Sequence, residues 1–363
     1  MAPLSGLRVV DFSTLLPGPL ASLILAESGA EVVKIERPGQ GDESRALSPA
    51  LFAMLNRGKR SFALDLSSAQ GRQTALSLME GADVVIEQFR PGVMDRLGLG
   101  WEAAKAINPR LVYCSITGYG QSGPLAAAAG HDLNYQAEAG LLDLCPGLPH
   151  ILAADIMGGA YPAVLNILLA LERRQREGSG CHLDVAMAEN VLPNLLMDLA
   201  AQAEGMEKAP LDKGFFLGAS PRYRYYETRD GRRMAVGAVE NRFWNRLCEL
   251  MDLPAPLRDD RQDPAATAQA LAHRFASHDA AHWETLFDGQ DVCCNRVNSP
   301  GEAMGSAHFN ERGVFSRFVG MSGLAVPAPA IPLPLAPALR HSETIRSAPA
   351  LGEDTRHDWS GNV

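Results

Sequence analysis

The sequence lacks the features that direct a chain to a membrane, a secretory route or a nucleic acid. Met1 to Phe12 has no charged leader and no long apolar run, and the most apolar early stretch, Leu15 to Ala26, is broken by Pro17, Gly18 and Pro19. Neither secretion nor membrane spanning is expected. Basic residues are in the minority, 33 Lys and Arg against 42 Asp and Glu, for a net charge of −9 and a pI near 5.5. The overall field therefore repels nucleic acid and anionic lipid, leaving room only for a local patch that holds a small anion. The six cysteines (Cys114, Cys145, Cys181, Cys248, Cys293 and Cys294) have no CxxC spacing, and adjacent Cys293 and Cys294 are poorly placed to bond each other. A reducing, cytoplasmic setting is expected. The GxSxG elbow, the P-loop and the HExxH pattern are absent, which argues against serine hydrolases, nucleotide hydrolases and zinc proteases.

What is present reads as an α/β enzyme of about two domains: 363 residues, 46% hydrophobic. Short apolar strands are expected at Leu7–Phe12, Glu31–Ile35, Phe62–Leu66, Ala82–Glu87, Leu111–Ile116 and His182–Met187, with helix-sized segments such as Ala21–Gly29 between the early ones. This alternation predicts a mainly parallel sheet covered on both faces, a Rossmann-like large domain. Val164 to Leu171 has the composition of a buried helix that stops at Gly178, although Pro162 must either kink it or mark its first turn. After an irregular stretch, Tyr223–Tyr226 and Arg233–Val239 read as strands around an Asp230-Gly231 turn, followed by helices at Arg242–Asp252 and within Ala266–Phe287. Five prolines between Pro327 and Pro337 suit an extended connector. The expected division is a large Rossmann-like domain over 1–200, a linker over 201–220, a small α+β domain over 221–310, an extended linker over 311–340 and a return to the large domain over 341–363.

Several motifs invite chemistry. Gly118-Tyr-Gly120-Gln-Ser-Gly123 is a literal GxGxxG, but Pro124 follows where a dinucleotide loop would open a helix, so a close-approach turn is the better reading. His278 and His282 have i, i+4 spacing with no third ligand nearby, and read as a polar face beside Trp283. Three ionisable residues stand out. His131 sits in Gly130-His131-Asp132-Leu133-Asn134-Tyr135, where Asp132 is placed to orient or charge the imidazole. Asp155 interrupts an apolar stretch before Gly158-Gly159, and Glu240 ends a strand before a helix. Singly, each is also explained as a loop or capping residue.

Leu4-Ser5-Gly6-Leu7-Arg8-Val9-Val10-Asp11, Gly29 to Pro38, Phe89-Arg90-Pro91-Gly92-Val93, Leu97-Gly98-Leu99-Gly100, Ile116 to Pro124 and Leu351-Gly352-Glu353-Asp354-Thr355 together resemble the superfamily of family III CoA-transferases and α-methylacyl-CoA racemases. The resemblance spans nearly the whole chain. It implies a large domain built from both chain ends, a smaller domain from the middle, and an interlocked homodimer. Within the superfamily, the His131 motif and Ala235-Val236-Gly237-Ala238-Val239-Glu240 resemble the racemase branch, while Asp155 falls where both branches carry an aspartate.

The resemblance implies an acyl-CoA substrate, as in fatty acid metabolism, and a 1,1-proton transfer at the carbon next to the thioester, with no metal and no cofactor beyond the CoA of the substrate. His131 and Asp155 would be the acid and base on opposite faces, Glu240 and Asp132 would tune His131, and backbone N–H groups after Asp155 would hold the enolate oxygen. Arg37 and Arg90, then Lys59 and Arg60, would contact CoA. Two departures from the family pattern stand out: Ser67 follows Asp65-Leu66 where a basic residue is common, and Arg296 stands where relatives carry proline. Leu15, Leu16 and Phe216 are candidates for an acyl surface. The alternatives are a CoA-transferase in which Asp155 accepts the acyl group, a non-catalytic acyl-CoA-binding protein, and an NAD-dependent oxidoreductase.

Overall fold

The computed structural model describes residues 2–144, 147–205, 220–320, 328–341, 343, 345–355 and 359. Cys145 and Phe216 lie outside the described residues, as do most of the expected 201–220 linker and part of the proline-rich segment. Two compact units are present: Met1–Leu195 with Asn310–Val363, and Leu196–Phe309. The 196–203 helix, placed by sequence in the large domain, belongs to the second unit.

The first unit is built on six parallel strands, β1 (Arg8–Asp11), β2 (Glu31–Glu36), β3 (Arg60–Ala63), β4 (Val84–Glu87), β5 (Val112–Thr117) and β6 (Cys181–Ala186), ordered β3-β2-β1-β4-β5-β6. The residues of the four inner strands are nearly all buried because helices cover both faces, β4 and β5 throughout, whereas the edge strand β6 exposes His182 and Asp184. That is why the strands read as continuous apolar runs rather than alternating ones. Two apolar clusters fill the two sides, one around Val9, Leu23, Ile86 and Ile167 and the other around Val10, Phe62, Met79 and Tyr113. Strand order reverses between β1 and β4, and in such sheets the crevice beyond the carboxyl ends at that point is where ligands bind.

The 17–27 helix starts at the proline pair that interrupts the apolar run, since Pro17 falls in its first turn where no N–H is required. Pro162 has the same explanation. Ala154–Ala160 is π-helical and the regular helix Tyr161–Glu177 begins around Pro162, so the proline marks a true first turn after a widened one. By length and composition the combined 154–177 helix is apolar enough to cross a membrane. Here Ala163, Ile167, Ala170 and Leu171 are buried in the unit while Leu165, Leu168 and Leu169 are exposed.

The chain end completes an edge. Strand β3 would leave its outer N–H groups unpaired, but Asp354 accepts the Ser61 N–H at 3.0 Å and Thr355 accepts the Ala63 N–H at 2.9 Å. These bonds give the Leu351–Thr355 motif its structural reason. The expected connector also carries structure: β10 (Phe318–Gly320) pairs antiparallel with β11 (Ala328–Pro329) and parallel with β12 (Ile345–Ser347).

The second unit holds an antiparallel sheet of β7 (Tyr223–Glu227), β8 (Arg233–Gly237) and β9 (Cys294–Arg296), packed with the 241–250, 264–276 and 280–287 helices around Trp244, Leu271 and Phe275. Arg296 lies opposite Met234 on β9 and pairs with Glu284 and Glu302, so it ties this sheet to its neighbours. His278 and His282 stack at 4.0 Å against the edge of Trp283, as a polar face would.

Candidate active site

A cavity of about 450 Å³ opens beyond the carboxyl ends of the strands at the switch point. The loop after β1 contributes Leu15 and Pro17, the loop after β4 contributes Gln88 to Pro91, and the end of β5 contributes Ile116 to Tyr119. His131, Asn134, Tyr135 and Asp155 complete the wall. His131 and Asp155, separated by 24 positions in sequence, are thus brought to one site. His131 is exposed and precedes the first turn of the 132–138 helix, with its backbone N–H donated to Asn134 Oδ1 at 3.1 Å.

Asp155 occupies the π-helical turn, a local widening often retained where a side chain must be aimed. Burial raises its pKa to about 7, and neighbouring Asp132 adds to the rise. No salt bridge offsets this among the described residues. A carboxyl group that holds and releases a proton near neutrality is the result.

Asp132 does something other than expected. Its Oδ1 accepts the backbone N–H of Asp155 at 3.0 Å, and its Oδ2 accepts from the Gln136 amide. It therefore fastens the π-helical turn to the 132–138 helix instead of bonding His131. The expected enolate donors need the same correction. The Asp155 N–H is given to Asp132 and the Ile156 N–H to Leu152 O at 3.0 Å. Gly158 and Gly159 serve packing, since a Cβ on Gly158 would lie 2.4 Å from Met187 O and one on Gly159 3.0 Å from Pro17. The GxGxxG turn is a close-approach turn of a similar kind, with Gly118 under the Tyr135 ring.

A second cavity of about 920 Å³ lies on the other side of the switch point, lined by Phe12 and Thr14, by Glu36 and Arg37, by Gly39 to Gly41, by Leu64 to Ser67 and by Phe89. Phe89 lines both cavities. Arg37 is exposed on the wall of the second and Arg90 on the wall of the first, each at a strand end. Ser67 lines the second cavity too, bonding Asp65 at 2.6 Å and holding that exposed carboxylate below its usual range.

Lys59 and Arg60 are not offered to a ligand. Lys59 is buried, and its three donors reach Asp11, Pro19 O and Asn56 Oδ1 at 3.3, 2.9 and 2.8 Å. Arg60 is engaged by Glu31 at 2.7 Å and Asp354 at 3.4 Å on the sheet edge. Both stabilise the fold. Glu240 is exposed in the second unit, where it is the N-cap residue of the 241–250 helix and its charge acts on Cys293.

The CoA-transferase family III model matches residues 4–355. The chain belongs to CoA-transferase family III. It is 36% identical over 361 residues to the α-methylacyl-CoA racemase of Mus musculus, covering 97% of this chain and 91% of that protein. It is also 31% identical to the succinyl-CoA:glutarate CoA-transferase of Mus musculus, covering 98% and 86%. A CAIB/BAIF family protein from Brucella suis shares the fold with a TM-score of 0.83 at 29% identity, covering 98% and 97%. Family III membership thus makes this an enzyme of the racemase and CoA-transferase superfamily with a six-stranded parallel sheet, the fold class expected from sequence.

Sequence reasoning overlooked Gln88 and Glu87. Both stand at the carboxyl end of β4, within three residues of Arg90, and the rule that strand ends at a switch point carry ligand contacts would have marked them.

Proposed function

We propose that the protein is a racemase that interconverts R and S 2-methyl-branched acyl-CoA thioesters. The observation that carries this is the pairing of His131 with an Asp155 raised to about 7 in one cavity at the switch point. One group removes the Cα proton as the C–H electron pair moves into the thioester carbonyl, forming an enolate. The other returns a proton to the opposite face of Cα as the carbonyl reforms. Roles exchange with the hand of the substrate. A pKa near the working pH suits a group that must act in both directions. The larger cavity with Arg37 is the proposed place for the nucleotide end of CoA, and Arg90 reaches its diphosphate arm from the catalytic side. Glu240 enters the proposal through the racemase motif it closes. A second copy of the chain is the proposed cover for the exposed Leu165, Leu168 and Leu169 face.

CoA transfer with Asp155 as acyl acceptor is the second reading, favoured by the 31% identical transferase. It asks Asp155 to be an ionised nucleophile, which its burial beside Asp132 opposes. Incubation of pure (S)-2-methylacyl-CoA in deuterated water without an acceptor acid separates the two. Deuterium at Cα with approach to equal R and S is expected. A bound substrate that never exchanges, together with hydroxylamine-sensitive labelling of Asp155 once an acceptor acid is added, would establish transfer instead.

A further inference from the structure

We propose that the side-chain amide of Gln88 donates a hydrogen bond to the thioester oxygen as it becomes an enolate. The inference rests on the racemase reading and deepens it. Gln88 follows β4 directly and lines the cavity that holds His131 and Asp155. Its Oε1 accepts the backbone N–H of Gly18 at 3.0 Å. A backbone N–H can only donate, so the carboxamide oxygen must face Gly18 and the NH2 group must face away from it. That NH2 has no hydrogen-bond partner among the described residues and is not a buried atom, and its residue lines the cavity. The bond to Gly18 is built in tightly. A Cβ at Gly18 would lie 2.2 Å from Ser13 and 2.9 Å from Gln88 Oε1, so this close approach requires glycine there.

Two sets of backbone donors nearby are already committed. The 17–27 helix begins with Pro17 and Pro19, which have no N–H, and the Gly18 N–H between them is the one that fixes Gln88. The Asp155 and Ile156 N–H groups are given to Asp132 and Leu152. Position favours Gln88 as well. The thioester joins the acyl part of the substrate to the CoA arm, so it must pass where the two cavities meet. Phe89 lines both, and Gln88 is its neighbour on the catalytic side. A fixed amide donor aimed where charge develops is worth roughly 10²- to 10³-fold in rate.

Gln88→Glu tests this, because it keeps an oxygen for the Gly18 N–H and replaces the donating NH2 by an acceptor; Gln88→Leu removes both. Two readouts are taken on the full chain: Cα deuterium exchange of (S)-2-methylacyl-CoA, and the pH at which bound acetoacetyl-CoA becomes its absorbing enolate. For Gln88→Glu the expected result is an exchange kcat lower by roughly 10²- to 10³-fold, a KM within about threefold, an enolate titration moved to higher pH and an unchanged unfolding temperature. Gln88→Leu should fall at least as far in exchange. Wild-type exchange with undiminished exchange in Gln88→Glu would overturn the proposal. So would lost exchange with a lowered unfolding temperature and an unmoved enolate titration, because Gln88 would then only hold the Gly18 loop. Absence of exchange in the wild type would count against the racemase reading, and the enolate titration would still decide for or against the Gln88 donor.

Discussion

The buried carboxylates on the two sides of the switch point are treated in opposite ways. On the β3-β2-β1 side each meets a cation: Asp11 with Lys59, Glu27 with Arg57, Glu36 with Arg45 and Asp42 with Lys34. Around the cavity that holds His131 and at the end of β4, the half-buried Asp155 and the buried Glu87 make no salt bridge among the described residues. The consequence is clearest in two aspartates. Burial opposes ionisation of Asp42, yet Lys34 at 2.8 Å and the Ser44 hydroxyl outweigh it and hold the pKa at about 2. Asp155 has burial and a neighbouring acid with nothing against them, and stands at about 7. Depth alone does not decide what a buried acid does; the presence of a partner cation does.

The largest effect that would sharpen this contrast is on activity. Asp155→Asn should lower Cα exchange by roughly 10²- to 10⁴-fold, the range for loss of a general acid–base group, while unfolding in urea near neutral pH shows no loss of stability. A variant that loses both would mean that Asp155 is a structural acid like Asp42. Lys34→Met should do the reverse. Its ammonium is fully buried, pairs with Asp42 at 2.8 Å and donates to Ser13 O at 2.6 Å, and its removal strands Asp42 without its cation and leaves Asp11 with Lys59 alone. About 3–5 kcal/mol of stability should go, measured by urea unfolding. Asp42 also accepts the N–H of Leu15, whose φ of +61° is unusual for a branched residue, so the cavity wall should loosen too.

Strand positions were legible in the sequence because a buried parallel strand must be apolar along its length, and β1, β2, β4, β5 and β6 stand within one or two residues of their runs. Strand β3 begins at Arg60, two residues early, because the sheet register continues into polar residues that the chain end then covers. His131 and Asp155 were visible through family motifs. The partners of polar groups were not. Nothing in the sequence says that Asp132 turns toward the Asp155 N–H, 23 residues on, or that Lys59 points inward to Asp11. Those choices depend on side-chain directions fixed only when distant segments pack. Gly158-Gly159 shows the same limit, since a ligand and Met187 ask for the same small residue.

The pH dependence of stability gives a finer separation. A carboxyl whose folded pKa is raised contributes stability at low pH that is lost as pH rises through the folded pKa, whereas a lowered one contributes above its usual range and loses that contribution as pH falls. Asp42 should therefore stabilise the fold fully above about pH 4 and lose that contribution as the pH falls from about 4 to about 2. Asp155 should weaken it progressively between about pH 4 and 7. Thermal unfolding of Asp155→Asn should accordingly gain on the wild type as pH rises from 5 to 8. A constant offset across that range would mean that Asp155 is not held as a neutral acid.

Glu87 offers the smallest and most discriminating effect. Its side chain is only 4% exposed, accepts the Phe89 N–H at 2.9 Å, and neighbours Ser115, which contacts His182 Nε2 at 2.9 Å. Burial raises its pKa to about 7; the bonds from Ser115 and Phe89 oppose the rise, and the charges of Asp95 and Asp184 add to it. Near pH 6 it is then mostly a neutral acid, which glutamine imitates in shape and in keeping an acceptor for Phe89. Glu87→Gln should change stability at pH 6 by less than about 1 kcal/mol, because no buried polar group loses its bond. As pH rises to 8 the wild type must ionise this buried acid or hold its proton at increasing cost, so the variant should become the more stable of the two. A loss of about 3–5 kcal/mol at pH 6 would instead be the signature of a broken buried ion pair. It would place Glu87 with Asp42, and the division of acids across the switch point would fail at the residue next to Gln88.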